Sequence, residues 1–277
     1  MSPTDRHLIA IDFDGTLLNP DGVVSERTRD AVHRVVEAGH EVVFATGRSR
    51  WESLPVLEQV EHHATAVFVG GAITLDLETG RTLDRRLMPA EPAREALSMM
   101  TDIGLMPMVL QDRDLSGVDF IHGPGEVDPR VRLWHEMHGV LVRPVDDLAN
   151  VDHDATLRIT TLGPNDLTME AERRLNEHDE LFAYQIDLAN LGARLLESFA
   201  KGVTKWTAIA RVAEMKGINP SKTIAIGDDM NDVHMIQHAG LGVAMGNARQ
   251  PVKELADRII ASHVDDGLAE FLEELAG

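Results

Sequence analysis

The chain of 277 residues contains no cysteine, which excludes disulfides, thiolate catalysis and thiolate metal sites together. Oxygen and imidazole remain as metal ligands, a set that favours hard cations such as Mg²⁺. Long apolar runs are also missing, and Met1-Ser2-Pro3-Thr4-Asp5 is not a basic region followed by an apolar stretch. The cytoplasm is therefore the expected location, with no membrane partner. Positive charge is scarce, because 26 Lys and Arg stand against 46 Asp and Glu, a formal charge of -20. A polyanion needs a basic footprint, so nucleic acid is not an expected partner. Nor is there a Gly-x-x-x-x-Gly-Lys-Ser/Thr loop of the kind that cradles nucleotide phosphates. An acidic protein of this kind can hold an anionic group only by local devices: a bound cation, a lysine, or backbone N–H groups at helix starts.

The length suits one large domain or two medium ones. His7 to Asp12 is a short apolar run ending in an acid, as a buried strand would be. Ser25 is placed as an N-cap, with Ala31, Val32, Val35 and Val36 at helical spacing up to Gly39. Further apolar runs cover Val42–Ala45 and Ala66–Val69, with a helix to about Val60 between them. Strand alternating with helix predicts an α/β fold, a doubly wound, mostly parallel Rossmann-like sheet. The rhythm then breaks. Leu75 to Leu83 reads as a hairpin, and from about Met88 to Asn190 short strands and helices mix with Pro and Gly, as in an inserted α+β cap domain. The α/β rhythm returns with a helix from Val203 to Lys216, a strand at Thr223–Gly227, a helix from Asp229, a strand at Leu241–Ala244 and a helix at Asp266–Ala276. The expected division is a discontinuous core of residues 1–86 and 193–277 around an insert of 87–192.

Three of the apolar strands end in polar clusters: Asp12-Phe13-Asp14-Gly15-Thr16, Thr46-Gly47-Arg48, and Gly227-Asp228-Asp229-Met230-Asn231-Asp232. Ligands of an open parallel sheet bind beyond the carboxyl ends of its strands, so clusters remote in sequence would share one crevice. Each cluster alone has an ordinary reading as a turn or an acid-rich first helical turn. The first lacks the further acids and the closing Glu of a calcium loop. Taken together, Asp12, Asp14, Asp228 and Asp232 would repel one another unless a cation joined them. Mg²⁺ suits such a set, and a carboxylate can itself attack phosphorus.

The set Asp12-Phe13-Asp14-Gly15-Thr16-Leu17, Thr46-Gly47-Arg48, Lys205 and Gly227-Asp228-Asp229-Met230-Asn231-Asp232 resembles the four signature motifs of the haloacid dehalogenase (HAD) superfamily. The run Val243-Ala244-Met245-Gly246-Asn247-Ala248 and the place of the insert resemble its Cof-type (type IIB) branch. The resemblance implies a Mg²⁺-dependent phosphatase that transfers a phosphoryl group from a small phosphorylated metabolite to Asp12 and then to water. It implies Asp14 as general acid and base, and Thr46 with the Gly47 N–H as phosphoryl contacts. Lys201 and Lys205 both lie in Ala200-Lys201-Gly202-Val203-Thr204-Lys205-Trp206; the family pattern favours Lys205 as the lysine that would neutralise nucleophile and phosphate. Asp12, the Asp14 carbonyl and Asp228 would hold the metal, with Asn231 and Asp232 in support. Trp206, where the family usually has Gly, and Gly70, where it commonly has Asn, depart from the pattern.

Other residues carry less. His135-Glu136-x-His138 is one residue short of a metalloprotease pair, and His234 with His238 lacks a third ligand. Met99, Met100, Met106 and Met108 are expected as core filler. In the insert Arg113, His122 and Arg158 are candidate substrate contacts. Two rival readings stand beside it: a phosphomutase or phosphotransferase using the same aspartates, and a catalytically silent sugar-phosphate binder.

Overall fold

A computed structural model describes residues 6–188 and 192–277. The segment Met1–Asp5 and the expected end of the mixed stretch at Asn190 lie outside the described residues. In chain order the structure runs β1 (Leu8–Ile11), α1 (Glu26–Glu37), β2 (Glu41–Ala45), α2 (Arg50–Val60), β3 (Thr65–Phe68), β4 (Ile73–Asp76) and β5 (Thr82–Arg85). It continues with α3 (Ala90–Thr101), β6 (Met108–Gln111), α4 (Arg113–Ser116), β7 (Phe120–His122), α5 (Pro129–Met137) and β8 (Val142–Pro144). Next come β9 (Thr156–Gly163), α6 (Asn165–Glu177), β10 (Leu181–Leu188) and β11 (Ala193–Ala200). The last part holds α7 (Lys205–Met215), β12 (Thr223–Gly227), α8 (Val233–His238), β13 (Leu241–Ala244), α9 (Gln250–Leu255), β14 (Arg258–Ile259) and α10 (Gly267–Ala276).

The chain divides into two compact units, one formed by Met1–Arg85 with Thr204–Gly277 and the other by Arg86–Val203. In the first, the strand order is β14-β13-β12-β1-β2-β3-β4-β5. Neighbours are parallel from β14 through β3, and only the β3-β4-β5 hairpins are antiparallel. Helices flank this sheet as in other doubly wound α/β folds. The central strand β1 is fully buried along Leu-Ile-Ala-Ile, as a parallel strand covered on both faces must be. Ser25 caps α1 by accepting the Thr28 N–H, and Ala31, Val32 and Val35 form its buried stripe. Ser49 and Glu52 close a capping box at the start of α2.

The second unit is a six-stranded sheet, β10-β11-β9-β6-β7-β8, antiparallel except between β7 and β8. One of its faces packs against α3 and α6 through Ala93, Leu97, Met100, Ala171 and Leu175, which meet Val109, Ile121, Ile159 and Leu196. Met106, expected in a core, is 52% exposed. His135 is buried with its ring 5.0 Å from Phe120. Burial and the nearby His122 push its pKa down to about 4, so it is a neutral packing residue.

Three details differ from the sequence reading. Ala193–Ala200, assigned above to the core, is the strand β11 paired with both β10 and β9, so the core resumes at Thr204. The expected single helix from Asp229 opens instead with a tight turn over Met230–Asp232 before α8. The short elements α9 and β14 carry too few residues for periodicity to reveal them.

Candidate active site

The site belongs to the first unit and is assembled where β1, β2 and β12 end. Asp12 follows β1 directly. Its backbone N–H donates to the Ile226 carbonyl of β12 at 3.1 Å, and its own carbonyl accepts from Leu17 N–H at 3.1 Å, closing a tight turn. Gly15 within that turn has φ +77°, and a Cβ there would stand 2.2 Å from Asp228 Oδ2. Glycine is thus required twice over, by the backbone and by the approach of the second aspartate.

Thr46 follows β2 and is buried, and its hydroxyl oxygen accepts the Arg48 N–H at 3.1 Å. The loop is tied from beneath, since Val69 N–H donates to the Arg48 carbonyl at 2.9 Å and Gly70 N–H to the Thr46 carbonyl at 3.0 Å. Those donors sit in a run of left-handed backbone: Val69 at φ 50°, Gly70 at 60° and Gly71 at 113°. For a β-branched residue such as Val69 this conformation is strained. At Gly71 a Cβ would stand 2.2 Å from the Thr204 carbonyl oxygen. Thr204 in turn caps α7, so this contact seats the helix whose first residue is Lys205.

Lys205 is fully buried and joins two acids. Its Nζ donates to Asp12 Oδ1 at 2.6 Å and to Asp232 Oδ1 at 2.6 Å. Asp232, also fully buried, uses Oδ2 to accept the N–H groups of Asp228 at 2.9 Å and Asp229 at 3.1 Å. Burial alone would lower the lysine pKa, but the charges of Asp12 and Asp232 outweigh it and hold the ammonium well above its usual range. The Asp12 carboxyl is raised by burial first, then by Asp232, with Lys205 only partly offsetting these. Asp228 is pushed up to about 8 by burial, then by Asp232 and Asp229.

One ammonium among three buried or half-buried carboxylates leaves an excess of negative charge, and a divalent cation fits that excess. One oxygen each from Asp12, Asp228 and Asp232 falls within 4.8 Å of the others. Both Asp232 oxygens are already occupied as acceptors, whereas among the described residues the Asp228 carboxylate receives only long contacts, 3.5 Å from the Thr16 hydroxyl and 3.4 Å from Asn247 Nδ2. Asp12 and Asp228 are therefore the carboxylates best able to hold such an ion.

The remaining residues singled out in the sequence have contacts of their own. Asn231 lies beside Gly47, whose Cβ position is 3.4 Å from Asn231 Nδ2, and its buried Oδ1 has no hydrogen-bond partner among the described residues. Asp14 points its carboxylate at Arg48 rather than into the acid cluster. Lys201 is exposed and belongs to the second unit. Trp206 stacks on His238, centroids 6.1 Å apart, and His238 on His234, also 6.1 Å; the two histidines thus form part of a ring stack. Asn247 had no assigned role, yet its Nδ2 donates to the Gly15 carbonyl at 2.8 Å while Oδ1 accepts His263 N–H at 3.0 Å. It braces the turn after Asp12 against the segment before α10. The run Val243 to Ala248 signalled its neighbourhood but not this function.

The molecule is a doubly wound α/β protein with an inserted α+β unit and a buried acid–lysine cluster at the strand ends of its first unit. The sequence profile of the haloacid dehalogenase-like hydrolases matches residues 9–272, and the chain belongs to that family. A 5-amino-6-(5-phospho-D-ribitylamino)uracil phosphatase of Bacillus subtilis is 29% identical, with 97% of this chain and 95% of the relative aligned. A pyridoxal phosphate phosphatase of Escherichia coli is 28% identical over 96% of this chain and 97% of its own. Among solved structures, a haloacid dehalogenase-like hydrolase from Bacteroides thetaiotaomicron superposes with a TM-score of 0.79 at 25% identity, covering 98% of this chain and 99% of that one. A HAD subclass IIB sugar phosphatase shares the fold with a TM-score of 0.79 at 20% identity, over 97% and 98% of the two chains. The chain is thus a hydrolase of this family, and both of the relatives named above are phosphatases. No helix among the described residues is long and apolar enough to cross a membrane.

Proposed function

We propose that this enzyme hydrolyses a small phosphorylated metabolite by way of an aspartyl-phosphate on Asp12. The observation that carries the reading is the bond from buried Lys205 to Asp12 Oδ1 at 2.6 Å. It opposes the upward pull of burial and Asp232 on the Asp12 carboxyl and orients it, placing a positive charge where a phosphate dianion approaches. Asp12 attacks phosphorus, and Asp14, two residues along, gives a proton to the departing oxygen. The same carboxylate then takes a proton from the water that releases phosphate from Asp12. The Thr46 hydroxyl, whose oxygen already accepts from Arg48 N–H, has its proton available for a phosphoryl oxygen beside the Gly47 N–H. Asn231 and Asp232 support this arrangement.

Mg²⁺ is the proposed metal, held by Asp12, Asp228 and the Asp14 carbonyl, where it would screen the repulsion between carboxylate and phosphate. The substrate class is supported by relatives named for a phosphorylated ribitylaminouracil and for pyridoxal phosphate. Sugar phosphates, short phosphorylated acids and phosphorylated cofactors form the natural test panel. The deciding experiment is phosphate release from that panel with and without Mg²⁺. Transfer to a second sugar without net phosphate would identify a phosphomutase or phosphotransferase, and binding without turnover a silent binder.

A further inference from the structure

The side chain of Arg48 runs from the loop after β2 to the loop after β1 and grips both oxygens of Asp14. Its Nε donates to Asp14 Oδ2 at 2.8 Å and its Nη2 donates to Oδ1. This is the two-point fork that fixes a carboxylate in plane as well as in position. Among the described residues Asp14 has no other side-chain hydrogen bond, and its side chain is 59% exposed against 27% for Arg48. A pair so open to water adds little to stability, so its effect lies in orientation.

The arginine itself is held firmly. Its backbone N–H binds the Thr46 hydroxyl oxygen, and its carbonyl accepts from Val69 N–H in the strained left-handed run. Burial works against the guanidinium charge, but the hydrogen bond and charge of Asp14, followed by the charges of Glu52 and Asp12, prevail and raise its pKa. An arginine with an anchored backbone therefore faces a carboxylate on a glycine-containing turn that has no other side-chain hydrogen bond among the described residues.

We infer that Arg48 is the positioning residue for Asp14, setting the carboxyl group in line for proton transfer at the leaving oxygen. The inference rests on the phosphatase reading above. During attack by Asp12, protonated Asp14 keeps one oxygen on Nε and turns its O–H toward the departing oxygen. The P–O bond electrons pass to that oxygen, the proton follows, and Asp14 returns to the two-point grip as a carboxylate. The grip then holds it ready to accept a proton from water.

This role has a signature that a packing role lacks. Proton donation matters little when the leaving group is a stable anion such as nitrophenolate, and greatly when it is a basic alkoxide. The experiment measures kcat/KM, which reports the first transfer alone, for wild type and for Arg48→Met and Arg48→Lys over phosphate monoesters of increasingly basic alcohols. For Arg48→Met the loss should be about threefold at the nitrophenyl end and grow beyond about a hundredfold for alkyl phosphates. Arg48→Lys, which restores charge but not the fork, should recover only part of the alkyl deficit. A loss uniform across the series, or none, would overturn the positioning role while leaving the phosphatase reading intact. A wild-type enzyme that releases phosphate from no ester would overturn both.

Discussion

Lys205 Nζ and Asp12 Oδ1 meet at 2.6 Å although 193 positions separate them in the chain. The lysine reaches this point as the first residue of α7, whose start is seated on Gly71. Asp12 reaches it as the residue after the central strand. Their union, shared with Asp232, gathers three buried charged side chains of the first unit in one place.

Removing Lys205 should therefore damage stability and activity together. Lys205→Ala and Lys205→Met both leave Asp12 and Asp232 buried without their cation, at a cost of ~3–5 kcal/mol. Methionine refills the volume, so a deficit common to both variants in denaturant unfolding marks charge rather than packing. Lys201→Ala, in an exposed turn, should stay within about 0.5 kcal/mol of wild type and keep its turnover. The reverse ranking would show that Lys201 is the functional lysine.

Asp12→Asn should abolish phosphate release and leave the fold intact, because the amide keeps the size and an oxygen for Lys205 but loses the attacking charge. Circular dichroism checks the fold and steady-state assay the rate. Activity within about tenfold of wild type, a barrier change of only ~1.4 kcal/mol, would remove Asp12 from the nucleophile's role.

Asp228 gives the pH dependence. Its carboxyl stands near 8 in the folded chain against a usual 3.8, so the folded state binds this proton more tightly than the unfolded state. The stability it contributes without metal is complete below the usual value and declines as pH rises toward about 8. Mg²⁺ competes with that proton, so its stabilising effect must grow across the same window. Melting temperatures with and without Mg²⁺ should differ by only ~1 °C near pH 5 and by several degrees near pH 8. An equal gain at both pH values would contradict the cation site at Asp228.

Gly71→Ala should cost ~1–3 kcal/mol or more, because the new Cβ would stand 2.2 Å from the Thr204 carbonyl and φ there is 113°. The displaced α7 would carry Lys205 away from Asp12, so turnover should fall further than stability alone accounts for. Thermal unfolding and assay below the transition separate the two effects. Wild-type turnover in a folded variant would show that this contact does not seat the lysine.

The parts legible in the sequence were those with short-range signals. Buried parallel strands are continuous apolar runs, and β13 falls on Leu241–Ala244 as its residues indicate. Asp12, Asp228 and Lys205 stood out through motif order. The obscure parts depend on long-range pairing. β11 carries Arg194, Glu197 and Ser198 among its apolar residues, and only its partners β9 and β10 reveal which unit it joins. The grip of Arg48 on Asp14 and the brace of Asn247 against Gly15 span loops that no periodicity connects. Val69 showed nothing unusual, because backbone strain in a valine leaves no trace in composition.

Phosphoryl transfer to Asp12 can be trapped by acid-quenching Asp14→Asn during its reaction with nitrophenyl phosphate. In that variant the good leaving group still departs, while release of phosphate to water is slowed. The expected result is a burst of nitrophenolate of about one equivalent per chain, matched by a hydroxylamine-labile phosphoryl group on the peptide that carries Asp12. A burst with no phosphorylated peptide, or with the label on another residue, would contradict it.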